Sequence, residues 1–329
     1  MLTKQLIFIS GRFCSGTSML WNIFNQLPQY CAFYEPLHPN LLSHIKHVKP
    51  KDDHIGIDDY WQNYLNLNDL EKYYSHKFGQ QNLYLEKHEQ WQDLEHYIKF
   101  LIASSGDRIP VLQFNRMDLR LSWLKNTFPH VTIIHINRQS YPLWISSRKH
   151  LQSDDDKHNE SHQDAYDLMQ WSVDLAKHFP MLQSNNKRNS YFRHYFIWKL
   201  SHRVAQSHAD VHLSLENDFL NTHNGIETLT KKFDWDDKDK KLAESFIQKP
   251  KSMQDEPLKA NRFSTIEAAI DKIFSQLGLT KLFPSSPLSE IKIEHQKAWS
   301  KYVYQPNICI QELFDALQQQ KDELTALSS

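Results

Sequence analysis

The sequence predicts an α/β protein of three layers, in which helices cover both faces of a parallel β-sheet. Short apolar runs of strand length alternate, up to residue 215, with segments whose apolar residues recur at helical spacing. These runs are apolar throughout, which is typical of strands buried on both faces of a sheet. Hydrophobic residues make up 40% of the chain, which is enough to form a full core.

The predicted strands are the apolar runs at 6–9, 31–34, 110–114, 131–136 and 210–215. Helical spacing predicts helices at 19–27, 119–128, 141–149, 224–233, 238–248, 264–277 and 307–324, and the aromatic-rich segment 58–105 is predicted to be mostly helical. Together these elements predict one α/β domain over residues 1–250, with helical insertions at about 40–108 and 150–208. A helical C-terminal extension over 251–329 is expected to pack on the same domain.

The composition excludes several classes of protein. Seven glycines in 329 residues are far fewer than the roughly 23 expected at about 7%, so repetitive and linker-rich architectures are excluded. A net charge of -1 provides no field that would attract nucleic acid. No apolar run approaches a membrane span of about 18 residues. Three cysteines without a CxxC pair argue against disulfides and zinc clusters, so we expect a cytoplasmic protein.

Nineteen histidines invite a metal-binding interpretation, but no HExxH motif or convergent carboxylate accompanies them, so no metal is predicted. The sequence does not predict the oligomeric state.

The loop between the first strand and the first helix carries two of the seven glycines, Gly11 and Gly16. Strand, glycine-containing loop and helix form the context of a phosphate-binding loop, whose backbone N–H groups surround an anion. The next residue is Thr17, where a nucleoside triphosphatase has lysine, so a magnesium nucleoside triphosphate is not the expected ligand. The alternative is a tight turn with serine or threonine as the helix N-cap.

This segment resembles the 5′-phosphosulfate loop of the sulfotransferases, which use 3′-phosphoadenosine 5′-phosphosulfate (PAPS) and have a P-loop-type fold. The family commonly has a basic residue followed by Ser-Gly-Thr-Thr/Ser, and this chain keeps Ser-Gly-Thr-Ser at 15–18. Cys14 stands where the basic residue is usual, and Arg12 is the candidate to supply the charge. The cofactor-binding residues implied in this loop are Gly11, Arg12, Cys14, Ser15, Gly16, Thr17 and Ser18.

A second segment resembles the 3′-phosphate site of the same family. Arg138 follows the strand at 131–136, and Ser146 lies eight residues later, as in the family pattern. Gln139 and Ser140 replace the Asp-Pro that usually follows the arginine. An arginine at the end of a strand offers a planar fork of donors to a phosphate, and a serine in the next helix adds a hydroxyl. The stretch 213–219 resembles a largely structural Tyr-Glu-Asp-Leu segment.

Three residues are candidates for the acceptor side of the site. Glu35 follows the second strand and is the proposed general base, by similarity to Glu-Pro segments of carbohydrate sulfotransferases. The alternatives are a glutamate that only holds the loop, and His38 as the base. Arg116 ends the third strand and could bind phosphosulfate or substrate, or only pair with Asp118. The predicted catalytic residues are Glu35, Arg12 and His38, and the predicted substrate-binding residues are Glu35, His38 and Arg116.

The function predicted from these residues is transfer of the sulfuryl group of PAPS to a hydroxyl of a carbohydrate or another small acceptor, without a metal. Two alternatives remain at this point. One is a P-loop kinase or NTPase that lacks the usual lysine, and the other is a PAPS-binding protein with impaired catalysis.

Overall fold

The fold is described from a computed structural model, which covers residues 5–50, 54, 56–148, 165–176, 178, 179, 182, 190–247 and 261–276. Its strands are β1 (Leu6–Ser10), β2 (Tyr30–Tyr34), β3 (Ile109–Phe114), β4 (Val131–Asn137) and β5 (Val211–Ser214). They form one five-stranded sheet in the order β2-β3-β1-β4-β5, and every neighbouring pair is parallel. The predicted parallel α/β architecture is therefore confirmed.

The helices of the described residues are α1 (Thr17–Gln26), α2 (Leu41–His47), α3 (Leu70–Tyr73), α4 (Gln92–Ser104), α5 (Leu121–Thr127), α6 (Ser140–Arg148), α7 (Leu168–Leu175), α8 (Ser190–His208), α9 (Asn224–Phe233), α10 (Asp237–Ser245) and α11 (Asn261–Gln276). Short 3₁₀ turns occupy Gln62–Tyr64, His76–Gly79 and Ala165–Asp167, and a π-helical turn occupies Leu215–Leu220. The predicted helix at 307–324 lies outside the described residues. None of the helices described is long and apolar enough to span a membrane.

The strand order determines where the site lies. β1 is the central strand, and Ser10 at its carboxyl end pairs in register with Phe114 of β3 and His135 of β4. All residues of β1 are buried, as its uninterrupted apolar sequence predicts. The loops that follow β1, β3 and β4 therefore emerge side by side, at the edge where open α/β sheets bind their ligands.

The first insertion differs from its prediction. Only α4 is a helix of ordinary length, whereas residues 58–91 consist mainly of loops and short turns. Aromatic side chains of this segment are anchored singly to the backbone of β2 and of the chain after it. Tyr64 donates to the carbonyl of Tyr34 at 2.9 Å, and Trp61 donates to that of Val48 at 2.9 Å. These tertiary contacts override the local helical pattern.

Helix α11 packs on α8 through apolar and polar contacts. Phe263 lies 4.5 Å from Tyr191 between ring centroids, and Phe274 lies 5.1 Å from Phe196. The carboxylate of Glu267 accepts hydrogen bonds from Tyr191 at 2.5 Å and from Ser140 at 3.3 Å. Since Ser140 begins α6, the C-terminal helix contacts the segment that follows β4.

Candidate active site

The loop at residues 11–18 has the backbone of an anion-binding site. Cys14 and Gly16 both have positive φ, 63° and 97°, and Gly16 directly precedes α1. No side chain caps the amino end of α1, so the first N–H groups of the helix keep their capacity to bind an anion. Successive N–H groups in such a loop converge on one point. The turn-only alternative with a serine or threonine N-cap does not fit, because the N-cap residue is Gly16.

Both predicted glycines are required by close packing. A Cβ at Gly11 would lie 2.6 Å from the carbonyl oxygen of Ile136, at the end of β4. A Cβ at Gly16 would lie 2.9 Å from Leu215, in addition to the strain of a left-handed backbone. Ser15 closes the turn, since its hydroxyl donates to the carbonyl of Arg12 at 2.6 Å.

A chain of hydrogen bonds joins the loop to Glu35. The Thr17 hydroxyl donates to Oδ1 of Asn115 at 2.8 Å, and Nδ2 of Asn115 donates to Oε1 of Glu35 at 2.6 Å. The side chain of Gln113 donates through Nε2 to the same Oδ1 at 3.1 Å, and its Oε1 accepts the backbone N–H of Glu35 at 3.1 Å. We call these four residues the Asn115 network.

Asn115 was not among the predicted site residues. A signal was present, because Gln113 and Asn115 are two residues apart in β3 and its continuation, so strand periodicity places them on one side. A neutral amide at the end of a strand belongs to no familiar motif, however, and only the fold brings it against Glu35.

Glu35 and His38 occupy the turn after β2. Glu35 is half-buried with φ of 40°, and its carbonyl accepts the N–H of His38 at 2.9 Å. Burial, together with the neighbouring His44 and Arg116, lowers the pKa of His38 to about 3. Nδ1 of His38 accepts the N–H of Asn40 at 3.1 Å, which leaves the proton of the neutral ring on Nε2. In this tautomer the lone pair of Nδ1 is already used, which counts against His38 as a base.

Arg138 connects the loop with the other half of the sheet. Its side chain is 2% exposed, and Nη1 donates to the carbonyl of Cys14 at 3.1 Å. Glu216 lies beside it, with Oε1 3.8 Å from Nε of Arg138, and accepts the N–H of Gln139 at 3.1 Å. Ser146 lies on α6 and is half-buried, and its hydroxyl makes no hydrogen bond within the described part of the chain.

Arg12 and Arg116 have different partners from those expected. Arg12 donates to Asp118 at 3.1 Å, and its guanidinium lies 4.3 Å from the ring of Trp171. Arg116 pairs with Asp167 at 3.0 Å, so the expected alternative of an Arg116–Asp118 pair is wrong. Asp118 is completely buried and faces Arg12 instead. A role for Arg12 at the sulfuryl group stays a prediction.

Ring contacts place Arg116 beside the loop as well. Its guanidinium lies 4.9 Å from the ring of Phe13, which stacks on Tyr166 with centroids 4.5 Å apart. The thiol of Cys14 contacts the Tyr166 hydroxyl at 3.5 Å. No group of three or more metal-ligating side chains is found among the residues that the structure describes.

Comparison with known proteins was made by family and by individual relatives. The chain matches the model of the family described as "Sulfotransferase family" over residues 6–191, which is more than half of its length. No curated protein and no solved structure gives a significant match. The matched range contains β1 to β4, the loop at 11–18, the Asn115 network and Arg138.

Proposed function

Since this chain belongs to the sulfotransferase family, we propose that it transfers the sulfuryl group of PAPS to a hydroxyl of a carbohydrate or another small acceptor. Membership in the family supports sulfuryl transfer in general, and the donor, acceptor and base are the proposed details. The observation that carries the proposal is the Asn115 network, which links an anion loop without a lysine to a half-buried carboxylate. Such a link is expected where an anionic donor and a hydroxyl nucleophile must meet.

The residues present fit PAPS at two places. The positive φ values at Cys14 and Gly16 and the uncapped start of α1 suit a 5′-phosphosulfate. Arg138, with Ser146 one to two turns into the next helix, suits the 3′-phosphate. Arg138 also donates to the loop carbonyl of Cys14, so its position is coupled to that of the loop.

PAPS supplies a sulfuryl group whose bond to a phosphate oxygen breaks while sulfur bonds to the acceptor oxygen. Glu35 accepts the proton of the acceptor hydroxyl through its carboxylate. Asn115 orients that carboxylate by donating to Oε1. The loop N–H groups and the start of α1 stabilise negative charge on the phosphate side.

The competing functions make different demands on the loop. A kinase or NTPase needs a lysine after Gly16 to reach the terminal phosphates, and this chain has Thr17, whose hydroxyl is bonded to Asn115. A binding protein without catalysis would not need a carboxylate held by the same network. The geometry therefore favours the transferase.

Nucleotide binding tests the proposal directly. Thermal unfolding is measured with 3′,5′-ADP, 5′-AMP and Mg-ATP, each at the same concentration. A ligand at 100 times its Kd stabilises the fold by about 2.7 kcal/mol, so selective stabilisation by 3′,5′-ADP is expected. Stabilisation by Mg-ATP and not by 3′,5′-ADP would exclude the sulfotransferase function. Transfer of label from ³⁵S-PAPS to a panel of alcohols then separates an enzyme from a binding protein.

A further inference from the structure

Arg116 is a buried cation with an incomplete set of partners. Its side chain is 5% exposed, Nη2 pairs with Asp167 at 3.0 Å, and Nη1 reaches the carbonyl of Gly79 at a long 3.4 Å. Nε has no hydrogen-bond partner within the described residues. A guanidinium carries five N–H donors, and burying a charge is costly unless those donors are used. Arg116 therefore has unused capacity to bind an anion.

Arg120, four residues later, shows how a purely structural arginine is satisfied in the same region. Its guanidinium nitrogens donate to three backbone carbonyls, those of Asn82 at 2.8 Å, Phe78 at 2.8 Å and Gln81 at 2.6 Å. Each of these bonds is short, and all three partners belong to the first insertion, at Phe78 and at the exposed Gln81 and Asn82. The contrast indicates that Arg116 has a role other than holding loops together.

The partner of Arg116 is placed by an unusual backbone. Tyr166 and Asp167 are consecutive residues with φ of 57° and 59°. This left-handed conformation is unfavourable for residues other than glycine. The carboxylate of Asp167 is 42% exposed, although it neutralises a side chain that is almost fully buried. Because this carboxylate is exposed, one arriving from solvent can compete with it for Arg116.

Arg116 lies on the acceptor side of the site. It directly follows Asn115, which donates to the proposed base Glu35. Its stem packs beside Gly79, and a side chain at Gly79 would contact both Cδ of Arg116 and the carbonyl of Leu37, two residues after Glu35. The positive charge of Arg116 also lowers the pKa of His38. A group bound to Arg116 would therefore lie close to the turn that carries the base.

We propose that Arg116 binds a carboxylate of the acceptor, so that the preferred acceptor is a hydroxyl compound with an acidic group, such as a uronic acid or a hydroxy acid. Asp167 occupies this position when no acceptor is present. A planar carboxylate matches the fork of a guanidinium, which gives both affinity and orientation. This inference rests on the proposed function, since it names the class of acceptor for the same site.

Matched acceptor pairs test the inference. Transfer from ³⁵S-PAPS is measured to methyl glucuronide against methyl glucoside, and to glycolate against ethylene glycol. We expect at least a tenfold higher kcat/KM for one carboxylate compound over its neutral match, and loss of that preference in Arg116→Gln. Equal use of both members of each pair, or a preference retained in Arg116→Gln, would overturn the inference.

Two variants and one binding measurement keep the test decisive. Asp167→Asn removes the competing carboxylate, so the KM of the acidic acceptor should fall several-fold; an unchanged or higher KM would contradict the role of Asp167. Arg116→Lys keeps the charge and should retain part of the preference if Arg116→Gln fails to fold. If no compound is sulfated, calorimetry with glucuronate and glycolate on protein saturated with 3′,5′-ADP decides, and absence of binding overturns the inference. Failure of 3′,5′-ADP itself to bind would instead count against the proposed function.

Discussion

The two halves of the sheet meet the anion loop in different ways. On the side of β3 and β2, hydrogen bonds run from Thr17 through the neutral amide of Asn115 to the carboxylate of Glu35, and Arg12 of the loop pairs with Asp118. On the side of β4 and β5, it runs through the charged side chain of Arg138, which is buried beside Glu216. One side thus directs a carboxylate that can accept a proton, and the other fixes a positive charge.

The proposed function gives each side a different task. A general base must change its protonation state during the reaction, so neutral neighbours that tolerate both states are suitable. A phosphate-binding arginine must remain charged and in place, which burial beside a glutamate supports. The following predictions test whether the two sides are as distinct as their contacts indicate.

Loss of the carboxylate at Glu35 should have the largest effect. Glu35→Gln keeps an acceptor for Asn115 but cannot take a proton, so kcat should fall by roughly 10² to 10⁴. Binding of 3′,5′-ADP, measured by calorimetry, should be unchanged. Glu71→Gln changes an exposed glutamate and serves as the control. Retention of full activity in Glu35→Gln would rule out Glu35 as the base.

Loss of the charge at Arg138 should affect binding more than chemistry. Arg138→Gln should weaken 3′,5′-ADP relative to 5′-AMP by about 10- to 100-fold, as expected for a charged hydrogen bond worth about 1.5–3 kcal/mol. The single variant should also lower Tm, because Glu216 is left buried without its cation. Adding Glu216→Gln should restore part of the Tm and none of the nucleotide preference. If the double variant recovers the preference, Arg138 acts only on the shape of the loop.

Acid should lower the free energy of unfolding through His135, a residue of β4. Burial, together with the nearby His202 and His212, lowers the pKa of His135 to about 3. As the pH falls, His135 is therefore protonated in the unfolded chain before it is protonated in the folded protein. The stability that depends on a neutral His135 is complete above about pH 6.5 and is lost as the pH falls toward 3. Between pH 7 and pH 5 the free energy of unfolding should drop by ~2 kcal/mol from this residue alone.

Denaturant unfolding at both pH values measures this drop. His135→Gln should lose about that much less stability on acidification than the unmodified protein, while the exposed His130→Gln should behave as the unmodified protein does. An identical drop in all three proteins would show that His135 does not titrate with unfolding.

Removal of the amide at Asn115 should have the smallest of these effects. Asn115→Ala leaves both Thr17 and Glu35 in place but disconnects them, so kcat should fall about tenfold, the cost of one hydrogen bond. The acid limb of the pH–rate profile should move to higher pH, because the charged carboxylate loses a donor. An unchanged profile with a lower kcat would indicate that Asn115 shapes the loop and does not orient Glu35.

The sequence predicts the sheet because strands that are buried on both faces appear as short, uninterrupted apolar runs. It predicts the anion loop because glycine is needed where a Cβ at Gly11 would meet the end of β4. It does not predict that Arg12 pairs with Asp118, since those residues are 106 positions apart and only the sheet order brings them together. The aromatic segment at 58–105 is predicted to be mostly helical, and the prediction is wrong for 58–91 because anchoring by individual side chains has no periodic signature.

The family match ends at residue 191, two residues into α8. Strand β5, which pairs with one side of β4, comes later in the chain. A fragment that ends at residue 191 would keep every residue proposed to bind the phosphates or to act as the base. Without β5, however, β4 would become an exposed edge strand, which can pair with a strand of another molecule. The fragment would also lack the ring contact between Phe263 and Tyr191. The matched range is thus shorter than the five-stranded sheet with its covering helices. Shortened versions for expression or crystallisation should therefore extend at least through residue 276.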